Sequence, residues 1–482
     1  MIPCLKLACQ RNKKVIPLSA NDTHIIDTKP LNFSTTTSPE KLFQKLQHKP
    51  WAMWLDSSNG EHVDAKYDIM VWQPKATIIT VGRDSYLSCK DTDEETTSQD
   101  DPIALLESLQ KKVIEPFSVS TNDLPFKVGA VGYFAYDLGR RFETLPNQAK
   151  RDIEIPEMAV GVYTHAVIFD RVNQTFLLTC PESEREQLEQ QLVNIVESNK
   201  QTQANFSLTS QWQSNMTKES YQEKFNKIQN YLRSGDCYQI NLTQRFSASY
   251  QGDEFSAYCS LREANKAPFS AFIRLPDCVI LSISPERFIK VEQDTIQSKP
   301  IKGTLPRSEQ PEQDEQNKQT LANSAKDQSE NLMIVDLLRN DISKVAAKGT
   351  VQVPKLFDVE SFPAVHHLVS TVEAKLDSKY KSTDLLRGAF PGGSITGAPK
   401  IRAMEIIDEL EPHRRSVYCG SIGYISACGN MDTSITIRTI IANEQTMHCW
   451  AGGGIVADSK VDAEYQETYD KVNKILPVLS QL

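Results

Sequence analysis

Short apolar runs separated by polar breaks fill most of this 482-residue chain. Runs rich in threonine and β-branched residues predict strands, and apolar residues spaced three and four apart predict helices. The predicted strands lie within 49–81, 157–180 (a hairpin), 238–250, 269–275, 278–284 and 287–297. The predicted helices cover 102–115, 182–200, 218–234, 321–339 and 400–410.

Two polar tracts interrupt this pattern. Residues 90–101 read KDTDEETTSQDD, and because so acidic a run can bury little surface, we expect an exposed loop. A tract rich in Gln, Ser, Thr and Asn follows residue 200 and predicts a domain boundary. We therefore predict an N-terminal lobe over 1–200 and a C-terminal catalytic domain over 217–482. Strands and helices in both halves indicate an α+β fold, with β-sheets packed together and helices outside.

Composition narrows the possible partners. The formal net charge of −9 argues against nucleic acid as the main partner, although local cations could still hold a small anion. No stretch approaches the roughly 20 apolar residues that span a bilayer, so no membrane association is expected. The segment 1–14 has its charges on the wrong side of its apolar run for a secretory signal. Ten cysteines without CxxC pairs or zinc spacing favour a reduced, cytoplasmic location.

Two glycine-rich segments are candidate ligand-binding loops. PGGSITGAPK (391–400) begins like a phosphate loop, but Ala398 and Pro399 stand where lysine and Ser/Thr are required. Its backbone N–H groups could still bind a carboxylate at a helix start, and a plain turn is the alternative. AGGGIVAD (451–458) does not match GxGxxG, because it lacks the third glycine. Its glycines permit close approach of either a ligand or another strand.

Acidic side chains give a stronger signal. Glu464, Glu467 and Lys471 share one predicted helical face, which taken alone indicates a solvated salt-bridge surface. Glu330 precedes the apolar block LMIVDLL, where a helix passes from solvent into the core. A carboxylate there needs a partner, and Mg²⁺, which takes a few protein oxygens and keeps waters, would suit.

Two further charged residues have ordinary explanations when taken alone. Glu286 lies between two predicted strands, and the ordinary interpretation is a turn glutamate that pairs with Arg287. Lys302 lies in SKPIKGT (298–304), where a surface loop lysine is the simplest interpretation.

Taken together, the chain resembles the chorismate-utilising enzymes over nearly its whole length. The resemblance implies a two-lobed α+β fold with the active site in the C-terminal part. The matching segments, in family order, are GDCYQINLTQRF, APFSAF, ISPERF, SKPIKGT, AKDQSENLMIVDLLRND, VHHLVS, PGGSITGAPK, CGSIGY, SITIRT, AGGGIVADS and AEYQETYDKV.

Two positions indicate the branch of this family. Relatives that aminate chorismate ortho to the ring carboxylate have alanine where Lys302 stands, whereas the para-aminating branch looks like this chain. Relatives that hydroxylate C2 have a water-activating lysine where Gln239 stands. The resemblance therefore implies amination of chorismate at C4, giving 4-amino-4-deoxychorismate for 4-aminobenzoate and folate synthesis. Anthranilate formation is the alternative, and a catalytically inactive, tryptophan-binding subunit is a third hypothesis.

The resemblance also implies residue roles. Lys302 would add covalently to C2 as a neutral amine, Glu286 would protonate the departing C4 hydroxyl, and His367 would lie near the reacting carbons. Glu330, Glu464 and Glu467 would hold the Mg²⁺ cofactor. The implied substrate-binding residues are Thr396, Tyr424, Arg438, Gly452, Gly453, Gly454 and Lys471.

Two partners are implied as well. Leu55, Ser57, Pro268 and Phe269 resemble a pocket that binds tryptophan, although Asp56 departs from the usual LxES form and a plain strand end is the alternative. No G-x-C-x-G elbow of a glutaminase is present in the sequence. Ammonia would therefore be free or come from a separate glutamine amidotransferase subunit.

Overall fold

A computed structural model of the chain describes residues 24–33, 37–58, 62–119, 123–198, 205–361 and 365–482. The segment 1–14 and residues 199–204 of the polar tract, both discussed above, lie outside the described residues. None of the helices in the described ranges is both long and apolar enough to cross a bilayer.

The described residues form 26 strands and 11 α-helices. The strands are β1 (His24–Leu31), β2 (Met53–Asp56), β3 (Tyr67–Val71), β4 (Ala76–Val81), β5 (Asp84–Cys89), β6 (Glu94–Ser98), β7 (Phe117–Val119), β8 (Gly129–Phe134), β9 (Met158–Tyr163), β10 (Ala166–Asp170), β11 (Thr175–Pro181), β12 (Ser207–Leu208), β13 (Gln213–Ser214), β14 (Gln239–Gln251), β15 (Phe269–Arg274), β16 (Val279–Ser284), β17 (Arg287–Glu292), β18 (Thr295–Ser298), β19 (Ile301–Pro306), β20 (Gln352–Ser361), β21 (Val365–Lys375), β22 (Gly397–Ala398), β23 (Ser421–Ser426), β24 (Met431–Ile435), β25 (Thr439–Asn443) and β26 (Thr446–Ile455). The helices are α1 (Pro39–Leu46), α2 (Pro102–Ile114), α3 (Arg185–Glu197), α4 (Lys218–Ser234), α5 (Glu254–Asn265), α6 (Pro311–Ala322), α7 (Ala325–Ser343), α8 (Ser382–Ala389), α9 (Lys400–Leu410), α10 (Val461–Asp470) and α11 (Leu476–Ser480).

The strands assemble into two large sheets that both halves of the chain share. The first has 14 strands, with the main order β12-β14-β26-β25-β16-β15-β2-β3-β10-β11-β1-β7. The second has 12 strands, with the main order β19-β21-β18-β17-β24-β23-β8-β9-β4-β5-β6. Strand β2 joins the halves in one sheet by pairing with β15, and β8 joins them in the other by pairing with β23. Each sheet contains strands from both sides of residue 200. The domain boundary near that residue stays a prediction.

The core confirms an α+β fold with packed sheets and outer helices. One apolar cluster contains side chains of both sheets, such as Ile69 of β3 and Val131 of β8. A second cluster lies between the 14-stranded sheet and its helices, where Phe43 of α1 and Phe255 of α5 pack on Trp54 of β2. Burying these large rings supplies much of the driving force that holds the helices on the sheet.

Two sequence predictions of local structure are wrong in part. The acidic run 90–101 is exposed as expected, but it is not all loop, since it contains β6, which pairs with β5 at the end of the 12-stranded sheet. Charged side chains are tolerated there because an edge strand keeps them in water. The helix predicted over 321–339 is two helices, since Ser324 caps the N-terminus of α7 immediately after α6 ends.

Candidate active site

A cavity of about 500 Å³ in the C-terminal half brings together most of the residues expected to act in catalysis. Its walls come from β14, β19, β21, β26, α7 and α10 and from the turns after β16 and α8. The predicted residues that line it are Glu286, Lys302, Glu330, His367, Arg438, Gly452, Gly454, Glu467 and Lys471.

Lys302 reaches this cavity because of the glycine that follows it. In the β19–β21 ladder Lys302 pairs with Leu368 and Thr304 pairs with His367, which leaves Gly303 as an extra residue in a bulge. Gly303 has φ +76°, a conformation that glycine adopts without strain. A Cβ there would also lie 2.8 Å from Leu321 Cδ1. The segment SKPIKGT thus forms a bulged strand that directs Lys302 to the cavity wall.

Glu286 and Lys302 meet at Ser394, a residue of the PGGSITGAPK turn. The Lys302 ammonium donates a hydrogen bond to the Ser394 carbonyl oxygen at 3.4 Å. The Ser394 side chain hydrogen-bonds the Glu286 carboxylate. Burial raises the pKa of Glu286, and the Lys302 ammonium and the Ser394 hydrogen bond oppose that rise without cancelling it. Glu286 therefore holds a proton at higher pH than an exposed glutamate does.

His367 is a neutral imidazole in this wall. Its Nδ1 lies 2.8 Å from Thr304 Oγ1. Burial and the nearby Arg438 cation lower its pKa to about 4. The neighbouring His366 points elsewhere, with Nε2 3.0 Å from Asp314 Oδ1 and Nδ1 2.8 Å from Ser361 Oγ.

The three glutamates expected to hold a metal come from two helices. Glu330 lies on α7, and Glu464 and Glu467 lie on α10 over β26, where a Cβ on Gly453 would meet Glu464 Oε2 and Glu467 Oε1 at 3.1 Å each. Burial raises the pKa of Glu330 and of Glu464. Burial disfavours the charged form of Glu467 too, but the Lys471 ammonium 2.6 Å away helps to lower its pKa.

These carboxylates fit a magnesium site. Glu464 Oε2 is buried and makes no hydrogen bond, so an oxygen ligand is already desolvated. In the described ranges no three His, Cys, Asp or Glu side chains are grouped closely enough to hold an ion unaided. Magnesium needs only one or two protein carboxylates, because water and substrate oxygens complete its octahedron. Magnesium binding stays a prediction.

The cavity also contains groups suited to anions. The Arg438 guanidinium makes no salt bridge within the described part of the chain; burial lowers its pKa and the Glu286 carboxylate opposes the shift. Arginine remains a cation in proteins and its planar fork matches a carboxylate. Lys471 donates to the Gly452 carbonyl at 2.7 Å, which holds the ammonium against β26. Gly453 itself lies under the glutamates and is absent from the cavity wall.

Two predicted substrate contacts are placed elsewhere and need correction. Thr396 is fully buried, and its hydroxyl donates to the Gly392 carbonyl at 3.1 Å, so it stabilises the turn whose Ser394 and Ile395 line the cavity. Tyr424 lies on β23, where its ring packs edge-on against Phe126, away from this cavity.

Tyr418 is the tyrosine that lines this cavity, and no sequence pattern indicated it. Its ring stacks on Trp450 with the planes 8° apart. Both Tyr418 and Tyr424 belong to the segment 418–424, but Cys419 has a left-handed φ of +62°. That turn breaks the alternation of side chains along a strand, so strand periodicity could not predict where Tyr418 points.

A second cavity, of about 80 Å³, lies where the two halves meet. Leu55, Ser57, Pro268 and Phe269 all line it, as does Tyr424. The departure at Asp56 is structural, because its buried carboxylate pairs with Arg171 and Arg262. Benzene occupies protein cavities of about 150 Å³, so a tryptophan side chain would require this cavity to widen. Tryptophan binding stays a prediction.

Known proteins share much of this sequence. A family model described as chorismate binding enzyme matches residues 51–477. The chain is 55% identical to aminodeoxychorismate synthase component 1 of Escherichia coli (strain K12) over 92% of this chain and 96% of that protein. It is 35% identical to anthranilate synthase component 1 of Thermus thermophilus over 84% and 89% of the two chains.

A solved structure supports the same relationship. The crystal structure of anthranilate synthase component I from Streptococcus pneumoniae TIGR4 superposes with a TM-score of 0.75 at 30% identity. The match covers 92% of this chain and 98% of that one. The similarity therefore includes both sheets and both halves.

Proposed function

The chain belongs to the chorismate binding enzyme family, and on that premise we propose that it aminates chorismate at C4, as an aminodeoxychorismate synthase component 1. The observation that carries the proposal is Lys302, which lines one cavity with Glu286, Glu330 and Glu467. A nucleophile, an acid and carboxylates for a cation are the groups that this substitution requires.

The proposed reaction has two covalent stages. The Lys302 amine adds to C2, the two ring double bonds each shift by one position, and the C4–oxygen bond breaks. Glu286 gives a proton to the departing hydroxyl, which leaves as water. Ammonia then adds at C4 and gives a proton back to the Glu286 carboxylate, the double bonds return, and the bond between Lys302 and C2 breaks. The sum is chorismate plus ammonia giving 4-amino-4-deoxychorismate plus water, with retention at C4.

The environment of Glu286 supports its role as the acid. Hydroxide is a poor leaving group, so its departure needs a proton donor within reach. Burial raises the Glu286 pKa toward the working pH, while the Ser394 hydrogen bond limits the rise. Because Ser394 also contacts the Lys302 ammonium, one residue positions both groups.

Substrate binding uses the charged walls. Chorismate carries two carboxylates, and Arg438, Tyr418 and the backbone around Gly452 offer donors for one of them. When bound by Glu330, Glu464 and Glu467, Mg²⁺ would offset the charge of the other carboxylate. Lys471 adds a cation between these regions.

Ammonia would come from a second protein. The word component in the relatives' names indicates a multi-subunit enzyme, and the chain has no glutaminase elbow. We propose that a glutamine amidotransferase subunit supplies ammonia and that ammonium salts replace it in vitro. With glutamine as the nitrogen source, product should form only when that subunit is added.

Product identification tests the proposal. The purified chain, given chorismate, Mg²⁺ and ammonium, should form a compound that an aminodeoxychorismate lyase converts to 4-aminobenzoate. Anthranilate, detected directly by its fluorescence, would instead favour the ortho-aminating activity of the Thermus relative. Lys302→Ala is the matched variant, and it should lose most of the para product.

A further inference from the structure

Lys326 lies beside the glutamate cluster but has no role in the reaction proposed above. It is the second residue of α7, and its ammonium is 3.8 Å from Glu330 Oε1 and 3.9 Å from Glu464 Oε1. Glu330 is on the same helix, whereas Glu464 is on α10. One cation therefore spans two helices. Both distances exceed those of a good hydrogen bond, so the ammonium is shared by the two carboxylates and fixed on neither.

The three side chains differ sharply in exposure. The Lys326 side chain is 58% exposed, compared with 13% for Glu330 and 3% for Glu464. A lysine ammonium is a strongly hydrated charge on a flexible stem. Lys326 can therefore withdraw into water at little cost, whereas the two carboxylates stay where their helices hold them.

Glu464 still lacks a partner when Lys326 is in place. Its Oε1 accepts a hydrogen bond from Ser459 Oγ at 2.6 Å, but its buried Oε2 has none. A divalent cation would satisfy that oxygen. A cation bound there would lie close to the Lys326 ammonium, and two positive charges a few ångströms apart repel each other.

We propose that Lys326 is an internal competitor of the metal ion. Its ammonium neutralises Glu330 and Glu464 before a divalent cation binds, and it withdraws to solvent when the cation takes the pair. The inference rests on the proposed function, because the magnesium site is part of it. It follows that Lys326 weakens metal binding and that its removal should tighten it.

Calorimetric titration of MgCl₂ into the chorismate-free protein tests this inference. Lys326→Met, which keeps the length of the side chain without its charge, should lower the Kd for Mg²⁺ by about fivefold or more. Lys326→Gln should act in the same direction, and Lys326→Arg should bind no more tightly than the wild type. Lys375→Met is the control, since Lys375 is 52% exposed and pairs with Asp294. It should leave the Kd within about twofold.

The outcomes are separable. Unchanged or weaker Mg²⁺ binding by both Lys326→Met and Lys326→Gln would overturn the inference, as would an equal gain in Lys375→Met. Wild-type protein that forms the para product in the same buffer would leave the proposed function standing in either case. Failure of the wild type to form any para product would overturn the proposed function whatever the titrations show.

Discussion

Lys302 donates a hydrogen bond to the backbone carbonyl of Ser394, 3.4 Å away. The Ser394 side chain in turn hydrogen-bonds Glu286. A single turn residue thus contacts Lys302, the proposed nucleophile, through its backbone and Glu286, the proposed acid, through its side chain. This arrangement ties the positions of both reacting groups to the turn that follows α8.

Replacement of Ser394 should shift the pH profile. The hydrogen bond from Ser394 favours the charged carboxylate, so Ser394→Ala should raise the pKa of Glu286 further. The acid works when protonated, so kcat falls as pH rises through that pKa, and this limb should move to higher pH. Loss of the contact should also lower kcat about tenfold, the typical effect of a hydrogen bond to a charged group. Ser394→Thr keeps the hydroxyl and should restore the wild-type limb; an unmoved limb in Ser394→Ala would contradict the assignment.

Gly303→Ala should separate catalysis from stability. Gly303 and Gly235 have nearly equal positive φ angles, +76° and +79°, but only Gly303 would place a Cβ against neighbouring atoms. Backbone strain should cost each variant about 1–2 kcal/mol in the free energy of unfolding. Gly303→Ala should also lose most activity because its bulge aims Lys302. Denaturant titrations and turnover with ammonium check both expectations, and equal activity in the two variants would refute the role of the bulge.

Tyr418 and Tyr424 offer a direct test of the corrected site. Tyr418→Phe removes the hydroxyl of a residue that lines the cavity and should lower kcat/KM for chorismate about tenfold or more, the effect of losing a hydrogen bond to a carboxylate. Tyr424→Phe changes the second cavity and should leave kcat/KM near the wild-type value. The reverse pattern of kinetic effects would restore the original prediction.

Stability should decline in mild acid because of buried imidazoles. Burial lowers the pKa of both His165 and His367 to about 4, compared with about 6.5 in the unfolded chain. Below pH 6.5 the unfolded state therefore binds protons that the native state does not, and stability is lost as pH falls from 6.5 to 4. Each imidazole should lower the free energy of unfolding by about 2 kcal/mol between pH 7 and pH 5.

Urea titrations at the two pH values measure this loss. His165→Gln should show a smaller loss than the wild type, whereas replacement of the exposed His48 by Gln should not reduce it. An equal pH dependence in all three proteins would show that buried His165 is not responsible.

Local sequence was enough to predict the residues whose direction follows from their own strand or helix. Glu330 at the entry of α7 is the example, and it lines the cavity. Ser394 could not be predicted, because its contacts join segments far apart in the sequence. The edge strand β6 was missed because its acidic side chains give no apolar alternation.

The roles of the other candidate site residues were predicted from the family resemblance. Taken alone, the short sequence segments indicated that Glu286 is an ordinary turn glutamate and that Lys302 is a surface lysine. The structure places both residues in the wall of one cavity, where they can act together. Thr396 was predicted from the resemblance to contact the substrate, but its hydroxyl donates to the Gly392 carbonyl within its own turn.

A covalent bond between Lys302 and chorismate would be detected by mass spectrometry of the rapidly quenched enzyme. With chorismate and Mg²⁺ but no ammonia, the peptide that contains Lys302 should gain the mass of chorismate less one water, and added ammonium should remove it. An unmodified Lys302 peptide, together with full formation of para product by Lys302→Ala, would contradict the account.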